Sequence, residues 1–168
     1  LQNRALVQYL EDRGISQSKA VNYVQEAYYK VNEKQYFAIA FKNDQGGHEL
    51  RNKYFKGSTS PKAPTTIKSN SRALNLFEGF MDFLSALEYF KATKPKYDTI
   101  VLNSVTNLET IKDTLNNYRH INLFLDNDNT GQHTVETIKA KHRRIKNYSK
   151  IIYPDFKDFN ELLMQTKK

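Results

Sequence analysis

The chain has 168 residues, a formal net charge of +8 and no cysteine. Its length fits one domain, or one domain with a small appendage, and is enough to bury a hydrophobic core. Without cysteine the segment can form neither a disulfide nor a cysteine-based zinc site, and no apolar run reaches the roughly 18 residues of a transmembrane helix. The sequence begins at Leu1 and shows no signal-like apolar segment, so we expect a piece of a longer protein and a cytoplasmic location.

The positive charge is unevenly distributed. Residues 1–72 carry 12 Lys and Arg against 6 Asp and Glu, whereas residues 73–168 carry 14 against 12. A basic front half suits the binding of a polyanion such as nucleic acid. A basic protein without such a partner would have the same composition, so charge alone leaves both interpretations open.

The first 28 residues predict two short helices. Leu6, Tyr9 and Leu10 mark one apolar face, and Gly14 fits a helix end. Ser16 is placed to cap a second helix that would continue to Tyr28.

The pattern then changes to alternation typical of strands. Residues 36–41 and 49–55, separated by a turn at 43–47, predict a β-hairpin. The segment 57–72 is rich in Ser, Thr and Pro and predicts a loop. We therefore place a boundary there, with a basic N-terminal part at 1–72 and a second domain at 73–168.

From residue 73 onward, apolar strands alternate with helical patterns. Strands are predicted near 73–77, 98–103, 121–126 and 150–153, and the helix after the third of these is predicted to continue to Ile145. This alternation predicts an α/β fold: a mostly parallel sheet of about four strands flanked by helices. The helical pair and the hairpin would precede it.

Acidic residues follow three of these strands. Glu78 and Asp82 come after the first, Asp126 and Asp128 after the third. A further pair, Asp155 and Asp158, follows the last predicted strand. Since parallel strands share one carboxyl edge, we expect these carboxylates to meet and to bind a hard divalent ion. Each Asp alone is also a common helix N-cap.

The set and order of these residues resemble the Toprim domain of primases, topoisomerases and some nucleases. Its pattern is a Glu-Gly first motif and an Asp-x-Asp-x-x-Gly second motif, met here by Glu78-Gly79 and by Asp126, Asp128 and Gly131. The resemblance implies that Glu78 is the general acid/base. It also implies that Asp126 and Asp128 hold Mg²⁺ or Mn²⁺.

Within that family the chain resembles primases most. Asp82 extends the first motif in a primase-like way, and Pro154-Asp155-x-x-Asp158 is similar to the Pro-Asp-x-x-Asp-Pro-Asp segment of bacterial replicative primases. The resemblance implies that Asp158 is a further metal ligand and that Asp82 and Asp155 are supporting acids. Asn160 stands where that segment has its last Asp.

The front part is also similar to primases, on the residues Tyr9-Leu10-x-x-Arg13-Gly14 and on Lys53-Tyr54 after the hairpin. The whole chain most resembles the catalytic portion of primase-like proteins carried on bacterial plasmids and transposons. Such proteins usually have an upstream cysteine-rich zinc module, which this chain lacks.

Basic residues with interleaved Tyr54 and Phe55 indicate a nucleic-acid contact in the stretch 42–72. The candidate nucleotide- and nucleic-acid-binding residues are Arg51, Lys53, Lys56 and Lys62. A solvated hairpin edge protected by Lys is the alternative interpretation. A second basic run at 139–146 is interpreted as a solvated outer helix face.

Together these features predict metal-dependent primer synthesis, in DNA replication or mobile-element transfer. The implied ligands are single-stranded DNA template, nucleoside triphosphates and Mg²⁺ or Mn²⁺. A replicative helicase or relaxosome is an implied partner. The alternatives are a Toprim-type nuclease and a catalytically weak nucleic-acid-binding module. A topoisomerase is disfavoured because its attacking Tyr comes from a separate domain.

Overall fold

The computed structural model describes residues 1–167 and contains two β-sheets. The first is antiparallel, has the strand order β1-β2-β3-β4, and follows two helices. The elements of this part are α1 (Arg4–Asp12), α2 (Gln17–Ala20), β1 (Val24–Val31), β2 (Lys34–Lys42), β3 (His48–Arg51) and β4 (Lys56–Ser58).

The predicted second helix is wrong beyond Ala20, where the chain turns into strand β1. Residues 24–31 pair with β2 along their whole length, from Val24 opposite Phe41 to Val31 opposite Lys34. Their helical spacing of apolar residues is overridden by this hairpin pairing, which supplies hydrogen-bond partners for the backbone of β1 on the side that faces β2. The predicted hairpin is therefore part of a four-stranded sheet, and its return strand is shorter than expected.

The second sheet has the order β5-β7-β6-β8-β9, with β5 antiparallel and the other four strands parallel. This arrangement confirms the mostly parallel α/β fold. Its elements are β5 (Thr65–Ile67), β6 (Ala73–Phe77), α3 (Phe80–Tyr89), β7 (Asp98–Val101), a 3₁₀ turn (Val105–Asn107), α4 (Leu108–Leu115), β8 (His120–Phe124), α5 (Asn129–Lys139), β9 (Ile145–Asn147), α6 (Ser149–Ile152) and α7 (Phe159–Thr166).

Two predictions near the end of the chain are wrong. The last strand lies at Ile145–Asn147, and the residues predicted as strand form the short helix α6. Pairing with β8 fixes the strand, since Ile121 lies opposite Ile145 and Leu123 opposite Asn147. Asn147 then accepts hydrogen bonds from the backbone N–H and the hydroxyl of Ser149, which turns the chain into α6. Helix α5 ends at Lys139, so most of the second basic run lies beyond it.

The segment 57–72, predicted as a loop, contributes a strand to each sheet. Strand β4 forms one edge of the first sheet, where it pairs with β3, and β5 pairs with β7 of the second sheet. The division into 1–72 and 73–168 stays a prediction.

One hydrophobic core joins the two sheets. Leu6 and Leu10 of α1, Phe41 of β2, Phe80 of α3 and Phe159 of α7 belong to the same buried cluster. The rings of Phe41 and Phe80 are stacked, with centroids 5.1 Å apart. This contact seats the N-terminal sheet against the helix that follows the first acidic motif. Within residues 1–167 no helix is long and apolar enough to cross a membrane.

Candidate functional site

A cavity of about 750 Å³ lies where the carboxyl ends of β6 and β8 face the N-terminal sheet. Most of its acidic lining comes from the part of the chain that carries the second sheet, and most of its basic lining comes from the part that carries the first. The acidic residues that line it are Glu49 of β3 and, from the second part, Glu78, Asp82, Asp126 and Asp158. The basic residues that line it are Arg13, Arg51, Lys53, Lys56, Lys62 and Lys157.

Glu78 and Asp126 lie side by side because their strands are parallel neighbours, with Phe77 opposite Phe124. The backbone N–H of Asp126 donates to Glu78 Oε2 at 3.3 Å. Burial raises the pKa of Glu78, and the charge of Asp128 raises it further. Burial and the charges of Glu78, Asp158 and Asp128 raise the pKa of Asp126 to about 7.

The glycine of the second motif has a steric reason. A Cβ on Gly131 would lie 2.1 Å from the carbonyl oxygen of Asp126, so only glycine lets α5 begin this close to that peptide. Asp128 is the N-cap of α5, and its Oδ1 accepts from the N–H of Gly131 at 2.9 Å. Asp128 therefore caps α5 with one carboxylate oxygen, and its predicted role as a metal ligand stays a prediction. It is not part of the cavity lining, but its charge acts on Glu78 and Asp126.

The third acidic segment reaches the site through Asn127 rather than through a strand end. The Asn127 side chain donates to the carbonyl groups of Tyr153 and Phe156 at 2.8 and 2.9 Å, and its N–H donates to that of Lys157. Asp158 follows at once and caps α7, accepting from the N–H of Glu161 at 2.8 Å. The middle residue of the second motif thus holds the third acid in place.

Asp155 does not join this group. Its side chain is exposed and does not line the cavity. The supporting role predicted for Asp155 therefore finds no counterpart in the lining of the site.

Asp82 lies at the closed end of the cavity, in the first turn of α3. Its Oδ1 accepts from the backbone N–H of Asn160 at 3.1 Å. Burial, followed by the charges of Asp158 and Asp126, raises the pKa of Asp82 well above its usual range. A buried carboxyl group with a raised pKa is readily protonated. This property favours a supporting role for Asp82 beside the neighbouring acids over direct contact with a ligand.

Asn160, which stands where the similar primase segment has its last Asp, forms hydrogen bonds inside the protein. The side chain is buried and donates to the Arg13 carbonyl and to Ser85 Oγ, both at 2.9 Å. Its Oδ1 accepts from Arg13 Nη1, also at 2.9 Å. Asn160 of α7 therefore links the end of α1, at Arg13, to α3, and it orients the Arg13 side chain at the cavity wall.

The four basic residues predicted to bind nucleic acid all line the cavity. Arg51 projects from β3, where burial lowers its pKa and nearby Tyr9, Glu49 and Asp82 oppose that effect. Within residues 1–167 Arg51 forms no salt bridge at contact distance. A half-buried guanidinium without a close carboxylate is suited to an anionic ligand.

Sequence reasoning did not select Arg13, Lys157 and Asn160 as site residues, although all three line the cavity. A signal existed for two of them. Lys157 sits directly before Asp158, and Arg13 belongs to the primase-like N-terminal motif. The role of Asn160 depends on contacts with residues 75 and 147 positions away, which no local pattern contains.

The donor chemistry of this site fits a hard divalent cation. Its acids offer only oxygen atoms, and their charges raise one another's pKa values, a repulsion that a cation would relieve. Within residues 1–167 no three His, Asp or Glu side chains are already grouped as metal ligands. The fit is therefore one of chemistry and charge, and it assigns no coordination geometry.

Two family models match the chain. One, described as Toprim-like, matches residues 75–163, and the other, a domain of unknown function, matches residues 1–60. The Toprim-like match covers more than half of the chain, so the protein belongs to that family. No curated protein matches the sequence.

Solved structures show the same fold. The primase fragment of the bacteriophage T7 primase-helicase protein is similar with a TM-score of 0.66 and 19% identity, over 95% of this chain and 69% of that one. The T7 primase domains seen with lagging-strand DNA polymerase, an RNA/DNA hybrid and dTTP give a TM-score of 0.61 and 17% identity. That match covers 94% of this chain and 85% of the other. Both similarities include the N-terminal sheet, which a Toprim domain alone would not.

Proposed function

We propose that this chain is the catalytic part of a primase-like nucleotidyltransferase that joins nucleotides on a single-stranded DNA template. The observation that carries the proposal is the division of one cavity into an acidic wall and a basic wall. Glu78, Asp126 and Asp158 face a set of Lys and Arg side chains across it. Phosphoryl transfer needs this combination, because the substrates are anions and the reacting oxygens need charge stabilisation.

Each wall has a distinct role in this proposal. Arg51, Lys53, Lys56 and Lys62 would bind the triphosphate and the template phosphates, since they bring positive charge to the cavity. Glu78 would take the proton from the attacking 3′-hydroxyl. Its carboxylate is half-buried and held by the N–H of Asp126, which fixes the position of the accepting oxygen.

Asp126, Asp128 and Asp158 would hold Mg²⁺ or Mn²⁺, with Asp82 supporting them. Asp128 and Asp158 each use one carboxylate oxygen to cap a helix, which orients the other oxygen. A divalent ion bound there would supply charge neutralisation at the phosphate oxygens. Arg13, held by Asn160, would add positive charge at the wall of the same cavity.

The two parts of the chain would act together. Residues 1–72 would bring most of the basic groups and residues 73–168 most of the acids, in agreement with the two family matches at 1–60 and 75–163. In the parent protein the partner would be a replicative helicase or a relaxosome, in DNA replication or mobile-element transfer.

The test compares Asp126→Asn with Asp155→Asn, which neutralises an exposed acid outside the cavity. Each variant receives single-stranded template, nucleoside triphosphates and Mn²⁺, and both extension and cleavage products are resolved. We expect Asp126→Asn to reduce primer yield by about 100-fold or more, and Asp155→Asn to stay near the unaltered chain. A Mn²⁺ titration followed by electron paramagnetic resonance should show weaker binding only for Asp126→Asn.

Three outcomes would count against the proposal. Primer synthesis that survives Asp126→Asn removes the second motif from the chemistry. Cleavage of template without extension identifies a nuclease. Oligonucleotide binding with no Mn²⁺ binding by the unaltered chain identifies a binding module without this catalytic activity.

A further inference from the structure

The N-terminal sheet exposes an unusual concentration of aromatic side chains. Within residues 1–167, ten large hydrophobic residues are exposed, and six of them lie between residues 28 and 55. These six are Tyr28, Val31, Tyr36, Phe37, Tyr54 and Phe55. Rings that are left in solvent at this density mark a contact surface rather than scattered surface residues.

Two of these rings form one continuous surface with the half-buried ring of Tyr29. We name this surface the aromatic strip: Tyr29, Tyr36 and Phe55. Tyr29 and Tyr36 lie opposite each other on β1 and β2, with stacked rings 5.7 Å apart at 21°. The ring of Phe55 lies 6.4 Å from that of Tyr29. A Cβ on Gly57 would be 2.3 Å from the Phe55 ring, so glycine at this position lets Phe55 lie flat on the sheet.

The strip is continuous with the cavity and lies among basic residues. Phe55 belongs to the strip and also lines the cavity, and so joins the two. Beside it Tyr54 is 88% exposed, with Lys53 Nζ 5.7 Å from the centre of its ring. Strand alternation places Lys34 on the same face as Tyr36.

The segment that carries Phe55 is positively charged. Residues 50–72 contain six Lys and Arg and no Asp or Glu. An aromatic surface with a positive border suits a ligand that offers both flat rings and negative charge.

We propose that the aromatic strip binds the bases of a single-stranded nucleic acid that passes out of the cavity across Phe55. The proposal rests on the proposed function and gives a role to the N-terminal part of the chain. Every base has a face that stacks on an aromatic ring, and neighbouring cations bind the backbone, so such a surface holds a strand without reading its sequence. A partner protein would require neither the contact of Phe55 with the cavity nor the positive charge of residues 50–72.

The test is fluorescence anisotropy of the whole chain with two labelled strands. One is an oligodeoxythymidylate of about 12 nucleotides, and the other is an abasic strand with the same number of phosphates. The variants Tyr36→Leu and Phe55→Leu remove a ring and keep an apolar side chain. Tyr28→Leu is the matched control, since Tyr28 is an exposed tyrosine of the same hairpin on the opposite face.

We expect Tyr36→Leu and Phe55→Leu each to weaken binding of the thymidylate strand by about 5- to 150-fold. Binding of the abasic strand should change less than about twofold, because it has no bases to stack. Tyr28→Leu should leave both strands bound as before. Lys34→Gln should lower the salt dependence of binding to both strands by a slope of about 1.

The proposal is overturned if the two strip variants bind the thymidylate strand as the unaltered chain does. It is equally overturned if they weaken the abasic strand as much, or if Tyr28→Leu has the same effect. The assay contains no nucleoside triphosphate and no divalent ion. A chain that makes no primer can therefore still show base-dependent binding, and an active chain can still lack it.

Discussion

Replacing Asn160 with Ala should lower the free energy of unfolding by about 2–4 kcal/mol. The side chain is 2% exposed and makes three hydrogen bonds, two as donor to Arg13 and Ser85 and one as acceptor from the Arg13 guanidinium. A neutral hydrogen bond contributes about 0.5–1.5 kcal/mol and a charged one about 1.5–3 kcal/mol. Arg13 lines the cavity, so water can replace part of the hydrogen bonding that its guanidinium loses in the variant. We therefore take the lower half of the range obtained by summing the three hydrogen bonds.

The measurement is urea and thermal unfolding of the purified chain. For a protein of this size the expected loss lowers the melting temperature by about 5–15 °C. Asn117→Ala is the control, since Asn117 is exposed and should change stability by less than about 0.5 kcal/mol.

A double-mutant cycle with Ser85→Ala tests the cause. Asn160 and Ser85 are in direct contact, so their effects should be coupled by about 0.5–1.5 kcal/mol. An additive cycle, together with a loss in Asn160→Ala no larger than that in Asn117→Ala, would refute the idea that this amide holds α1, α3 and α7 together.

Two further predictions concern the second motif and the first residue of strand β7. Gly131→Ala should lower the free energy of unfolding by about 1–3 kcal/mol, because the added methyl group meets the Asp126 carbonyl. Gly79→Ala is the control and should lower it by less than about 1 kcal/mol, since the added Cβ would lie 3.4 Å from Asp82. Equal melting temperatures of the two variants would contradict this prediction. Burial alone would raise the pKa of Asp98, but hydrogen bonds from Ser69, Ser71, Tyr118 and Lys68 lower it to about 2. A carboxyl group with a lowered pKa stabilises the fold above about pH 4, and this stabilisation is lost as the pH falls towards 2. Asp98→Asn should therefore lower the free energy of unfolding by about 1–2 kcal/mol near neutral pH, after allowance for solvent screening. Urea unfolding of both proteins from about pH 7 down to about pH 2 should show the difference in stability between them vanish at the low end. A difference that stays constant with pH would exclude the ionisation of Asp98 as its source.

The two Toprim motifs could be predicted from the sequence because each is local. A short apolar run followed by an acid specifies a buried strand with a carboxylate at its end, and neighbouring parallel strands then bring Glu78 and Asp126 together. The same reasoning predicted the mostly parallel sheet, and the resemblance of the two motifs to the Toprim pattern predicted the family. The basic residues from 51 to 62 were also visible, and all of them line the cavity.

The elements that were predicted wrongly depend on pairing with another strand, which their own apolar spacing does not contain. Residues 24–31 have a helical apolar spacing, yet they form a strand because β2, which begins three residues after β1 ends, pairs with them along their whole length. The last strand is only three residues long, too short for a periodic signal, and exists because β8 offers an open edge at Ile121–Leu123.

The sequence by itself determined the chemistry of this protein: carboxylates at two strand ends, a positive N-terminal half and the glycine after the second motif. Only the tertiary structure decided which acids meet. Asn127 draws Asp158 to the site through hydrogen bonds to the chain before it, while Asp155 stays in solvent and Asn160 becomes a buried link to Arg13. Local patterns specify a residue's own turn or strand end, whereas these positions follow from contacts between segments up to 147 residues apart.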